Sequence, residues 1–146
     1  MAIHKDKNSM LKESLIEMID IADYCLKTRK ENGGYYGFPA SIILLSLIDS
    51  IGAHYGYGKS KRFHVLNNKE LFGLNLREKS IDVLYHEYRN QLFHENLIKP
   101  GAILRMGKET DVPFEISTNR RISVLNLLSL LKFSKKAVSK LLSKLK

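Results

Sequence analysis

The segment ASIILLSLIDSIGAHYG, residues 40–56, is apolar over most of its length. Pro39 precedes it, and proline fits the first turn of a helix, where its missing N–H has no intrahelical acceptor to serve. A helix that is apolar on most sides must be covered on most sides, so the other segments have to pack around it. Its strongest run, SIILLSLI at 41–48, is far shorter than the ~20 residues needed to span a bilayer. A chain of 146 residues can bury one core but not two, so a single domain over 1–146 is expected. Hydrophobic content of 44% against 27% charged is that of a folded globular chain rather than a disordered one.

Other stretches can supply the cover. From Ser9 to Arg29, apolar residues recur at helical spacing (Leu11, Leu15, Met18, Ile19, Ala22, Leu26), and the glycines of ENGG then suit a C-cap. Short helix-compatible pieces lie between Lys61 and Phe72, ahead of Gly73. Arg77 to about Asn96 predicts a helix that Pro100-Gly101 terminates. AILRM and VPFEI, on either side of GKETD, predict a small β-hairpin near 102–116. A final helix is expected from about Asn119 to Leu145, with Leu127, Leu128, Leu131, Val138, Leu141, Leu142 and Leu145 on its apolar side. The expected fold is all-α: an up-and-down bundle of four to five helices with that hairpin as a minor β element.

Net charge is +9 and unevenly placed. From Ile116 onward the chain has Arg120, Arg121, Lys132, Lys135, Lys136, Lys140, Lys144 and Lys146 and no carboxylate side chain. Such a block suits an anionic partner, whether nucleic acid, acidic protein or membrane surface, and equally a solvated helix face. No membrane partner is expected, because the apolar residues of the last helix are better used in the core. Arg120, Arg121, Lys132, Lys135, Lys136 and Lys140 are the candidate nucleic-acid contacts. Cys25 is the lone cysteine; it reads as a buried thiol and leaves no internal disulfide or multi-cysteine metal site. Acidic residues interrupt the N-terminal stretch where a signal peptide needs an apolar run, so a cytoplasmic protein is expected.

Two motif look-alikes fail on spacing. GAHYGYGKS at 52–60 resembles a phosphate-binding loop, but five residues separate Gly52 from Gly58, and the stretch follows a helix instead of a strand. It reads as a flexible Gly/Tyr-rich connection. His86 and His94 stand eight apart without a His-Glu-x-x-His pair, and His4, His54 and His64 are scattered, so neither a metal nor another cofactor is expected.

The stretch YHEYRNQLFHENLIKPG, residues 85–101, concentrates proton-transferring and phosphate-binding groups. At ~100° per residue, Ile81, Leu84, Tyr85, Tyr88 and Leu92 fall within about 100° of arc and form a core stripe. His86, Arg89, Asn90, Phe93 and His94 fall on the opposite side, with Val83 among them. This outward face either meets a second copy of the chain, the simplest symmetric partner, or packs Phe93 on another helix of the same bundle. Its chemistry suits a phosphodiester: a permanently charged guanidinium fork, an amide donor and an imidazole that titrates near neutral pH. Arg89 and His94 lie ~140° apart on one helix; two antiparallel copies at a two-fold axis would bring the arginine of one to the histidine of the other.

RNQLFH, Arg89 through His94, resembles the Arg-x4-6-His motif of the HEPN superfamily (higher eukaryotes and prokaryotes nucleotide-binding domains), with a polar residue directly after the arginine. The resemblance covers six residues as sequence and most of the chain as architecture. It implies a helical homodimer whose paired motifs form one cleft, and a metal-independent endoribonuclease, as in toxins of toxin–antitoxin pairs and phage-defence proteins. Carried over, His94 is the general acid/base acting on the RNA 2′-hydroxyl, Arg89 holds the scissile phosphate, and Asn90 assists; His86, Phe93 and Glu95 are supporting or binding candidates. The partners implied are RNA and an antitoxin protein. Some toxin members carry tyrosine two residues after the histidine, as the residue modified for neutralisation, whereas this chain has Asn96. Other members are non-catalytic, so a dimeric scaffold that binds nucleic acid or an acidic protein is the alternative.

Overall fold

The computed structural model describes residues 6–145; His4 and Lys146 lie outside them. The fold is mostly α with a small β element. Helices α1 (Lys7–Lys27) and α2 (Gly37–His54) are followed by a 3-10 segment (Lys59–Asn67), helix α3 (Glu78–Val83), a π-helical stretch (Leu84–Arg89) and α4 (Asn90–Glu95). Strands β1 (Ile103–Arg105), β2 (Phe114–Ile116) and β3 (Ile122–Asn126) then lead into α5 (Leu127–Lys144).

Helix α2, formed by the most apolar segment of the chain, is the centre of the molecule. Its Ala40, Leu44, Leu45, Leu47, Ile48 and Ile51 are fully buried, each large side chain contributing about 1.5–3 kcal/mol by leaving water. By length and composition α2 alone among the helices of the described residues could cross a bilayer, and half of it is buried inside the fold. Pro39 occupies its first turn as expected. α1 covers α2 with Leu15, Ala22, Cys25 and Leu26, and α5 covers it with Leu127, Leu130, Leu131, Ala137, Val138 and Leu141. Asp6 caps α1 by accepting the Ser9 N–H at 2.7 Å, satisfying one of the helix's open donors.

Gly52, expected in the connection, lies inside α2. A Cβ there would sit 2.2 Å from the Arg62 carbonyl oxygen, so the missing side chain lets the 3-10 segment press against the helix backbone. The connection itself starts after His54 and turns at Gly56, whose φ is 83°.

The hairpin near 102–116 does not form as such. The sheet order is β1-β3-β2, with β1 parallel and β2 antiparallel to β3. β3 comes from residues assigned in sequence to the start of the last helix, which begins at Leu127 instead. Ile122 and Val124 are β-branched and suit a strand. Asn126, fully buried, closes β3 by donating Nδ2 to the Val112 carbonyl at 2.7 Å and to Glu115 at 2.8 Å. Between Lys61 and Phe72, the helical pieces take 3-10 geometry.

Candidate functional site

The motif helix runs from Glu78 to Glu95 as α3, the π-helical stretch and α4. Its core stripe is the expected one: Ile81, Leu84, Tyr85, Tyr88 and Leu92 are all buried. Tyr88 is the anchor; its hydroxyl donates to the Ile122 carbonyl at 2.8 Å and ties the helix to β3. Burial pushes the Tyr88 phenol up to about 12, so it stays a neutral donor at any physiological pH.

The outward face divides. His86 and His94 are exposed, and Asn90 is half-buried. Val83, expected among them, is buried, and Phe93 rests against the core. Arg89 folds back onto α2, its side chain only 17% exposed, with Nη2 3.5 Å from Asp49 Oδ2. The π-helical stretch ends at this residue, where the Asn90 N–H reaches back to the Tyr85 carbonyl. Such a stretch changes the rotation per residue, so a straight-helix wheel misplaces the arginine at its end.

Asp49 receives a second cation, because Arg62 Nη1 donates to the same Oδ2 at 3.2 Å. Two guanidinium groups on one carboxylate leave a net positive cluster. Arg62 Nε and Arg89 Nε are buried donors without an acceptor among the described residues, and Asp49 Oδ1 is likewise unpaired. Arg89 Nη1 also donates to Asn90 Oδ1 at 2.9 Å, and the guanidinium lies 4.5 Å from the Phe93 ring centroid and 5.4 Å from that of Tyr85. Four neighbours therefore fix a delocalised cation in one orientation, where a lysine would keep neither the fork nor the stacking.

His94 lies in the last turn of the same helix, and its imidazole has no hydrogen-bond partner among the described residues. The chain leaves it through Asn96, a left-handed cap with φ 57°. Asparagine is among the few residues that adopt this conformation readily; an unbranched aromatic at the same place would be strained. Glu95 is exposed beyond His94. Among the described residues, no three His, Cys, Asp or Glu side chains converge as a metal site requires.

The basic block separates into two parts. Lys132, Lys136 and Lys140 form an i, i+4, i+8 row on α5, about 6 Å of helix rise apart, with Lys132 and Lys136 exposed. Lys135 is drawn off to Asp23 at 2.9 Å, and Lys144 bonds Glu70. Arg120 and Arg121 instead sit in the turn before β3, where Arg121 bonds Glu87 of the motif helix. Glu87 also accepts Lys99 Nζ at 2.9 Å.

Sequence reasoning missed Asp49, Arg62, Glu87 and Lys99. The signal for Asp49 was a single carboxylate inside an otherwise apolar helix, which only a buried cation can offset. No family model, no curated protein and no solved structure matches the chain.

Proposed function

We propose that the chain is a HEPN-type, metal-independent endoribonuclease that acts as a homodimer. The observation that carries this reading is the pairing, five residues apart on one helix, of an exposed His94, whose imidazole has no hydrogen-bond partner among the described residues, with an Arg89 whose guanidinium is held by Asp49, Asn90 and Phe93. His94 accepts the proton of an RNA 2′-hydroxyl, whose oxygen attacks the adjacent phosphorus. The P–O5′ bond breaks, and the 5′ oxygen takes a proton from the histidine of the second copy. Products are a 2′,3′-cyclic phosphate and a 5′-hydroxyl. Arg89 of one copy stabilises charge on the phosphoryl oxygens across the two-fold axis, with Asn90 offering its amide. The Lys132, Lys136 and Lys140 row gathers RNA without reading its sequence. A toxin–antitoxin or phage-defence setting in the cytoplasm fits such an activity.

The expected result is cleavage of RNA in EDTA by a dimeric protein, lost in both His94→Ala and Arg89→Ala. Full activity in both variants eliminates the mechanism. One observation favours a second reading, a non-catalytic dimeric scaffold: Asp49 already engages the fork that a substrate phosphate would need. Saturable RNA binding with no product under any divalent-ion condition would favour that scaffold.

A further inference from the structure

Along the motif helix, Glu87 and His94 stand seven residues apart, about 10 Å in rise. Arg89 is turned toward α2. Two cations from other elements meet at Glu87 Oε1: Lys99 from the loop after the helix and Arg121 from the turn before β3. Beside them is a cavity of about 220 Å³ that Gly101, Asn119 and Ser123 also line. One carboxylate between two cations leaves a positive charge over, and Arg120, the next residue in the turn, is exposed without an ion-pair partner among the described residues.

The turn carries backbone strain. Arg120 has φ 64°, a conformation L-residues avoid. Its carbonyl accepts the hydroxyl of fully buried Ser80 at 2.8 Å, and the Ser117 N–H donates to the Arg121 carbonyl at 2.8 Å. Strain that the surroundings hold in place concentrates where a protein positions functional groups.

We propose that this cavity is a phosphate subsite that takes a phosphate of the bound RNA strand neighbouring the scissile one. The assignment rests on the reading of His94 as the reacting histidine. A phosphodiester carries one negative charge on two oxygens, which suits a mobile ammonium on one side and a guanidinium fork on the other. Glu87 gathers the two cations at one oxygen, and its charge opposes the ligand.

The test uses full-length His94→Ala protein, which binds RNA without cutting it, titrated with a short unstructured oligoribonucleotide and separately with inorganic phosphate. Lys99→Gln and Arg121→Gln each weaken RNA binding roughly tenfold and reduce the salt slope by about 0.7, since one phosphate fewer is neutralised. Glu87→Gln keeps the shape, removes the opposing charge and tightens RNA binding. If Arg121→Gln fails to fold, the opposite shifts from Lys99→Gln and Glu87→Gln decide the matter. Unchanged affinity and slope in these variants overturn the subsite, as does an effect confined to inorganic phosphate, which makes it a free-phosphate site. If the unmutated chain cuts no RNA while the variants shift binding in the stated directions, the nuclease reading falls and the RNA phosphate site stands.

Discussion

Arg89 is bound within its own chain to Asp49, with Nη2 3.5 Å from Oδ2, so the arginine of the motif and the central helix form one electrostatic unit. Asp49 is 8% exposed, and it balances two guanidinium groups that are themselves mostly covered. Asp49→Ala leaves both without a counterion and is expected to cost about 2–3 kcal/mol in urea unfolding, below the full buried-pair value because Arg62 keeps some access to water. Asp49→Asn keeps an acceptor of the same shape and costs less. Both free Arg89 to sample other orientations, so on the proposed nuclease reading RNA cleavage is expected to slow by about tenfold through kcat with little change in KM.

Gly52→Ala would place a methyl 2.2 Å from the Arg62 carbonyl oxygen, where the obstacle is backbone and not a flexible tip. Alanine's better helix propensity, worth about 1 kcal/mol, cannot offset that overlap. Net destabilisation of about 2–3 kcal/mol is expected, readable as a lowered thermal midpoint. The displaced 3-10 segment carries Arg62 away from Asp49, so on the proposed nuclease reading cleavage is expected to fall as well. Gly56→Ala acts differently: nothing stands within 4 Å, and only its φ of 83° is penalised, about 1 kcal/mol.

The parts of the molecule that follow from periodicity alone were legible. Ile81, Leu84, Tyr85, Tyr88 and Leu92 share a stripe on the wheel and share burial in the fold, because hydrophobic burial acts along one helix face. Arg89 was not legible, since the π-helical stretch Leu84–Arg89 alters the rotation that the wheel assumes and its partner Asp49 lies on another helix. β3 was missed for a related reason. ISVLN is too short to show its alternation before the strong leucine pattern of α5 begins, and its pairing with β1 and β2 is set by contacts distant in sequence. Charge clusters such as Glu87 with Lys99 and Arg121 depend wholly on that long-range placement.

α1 and α5 are joined at the surface through Asp23, which Lys135 and Lys27 each approach to 2.9 Å. Burial alone would raise the Asp23 carboxyl, and the two ammonium groups outweigh it, holding it below its ordinary value of 3.8. A carboxyl lowered on folding favours the folded state when ionised. Its contribution is therefore complete above the unfolded pKa and is lost as pH falls through the lower folded one. Lys135→Gln is expected to cost a few tenths to about 1 kcal/mol at neutral pH. The gap between variant and parent should close as pH falls through that lowered folded value, measured as urea midpoints across a pH series at low salt.

Arg120→Gly separates the structural from the functional demand on the turn before β3. The native φ of 64° is unfavourable for arginine and free for glycine, while glycine adds some entropy to the unfolded chain. Relief of about 1–2 kcal/mol against roughly 0.5–1 kcal/mol of added entropy leaves the variant slightly more stable, with the Ser80 hydroxyl still bonded to the same carbonyl. A residue kept only for structure would then be improved by the change. If Arg120 stands at an RNA phosphate, the same variant binds RNA more weakly and with a salt slope smaller by about 0.7, so stability and affinity move in opposite directions. Thermal unfolding and a salt titration on one preparation read both, and a variant more stable with unaltered RNA affinity would remove Arg120 from the interface.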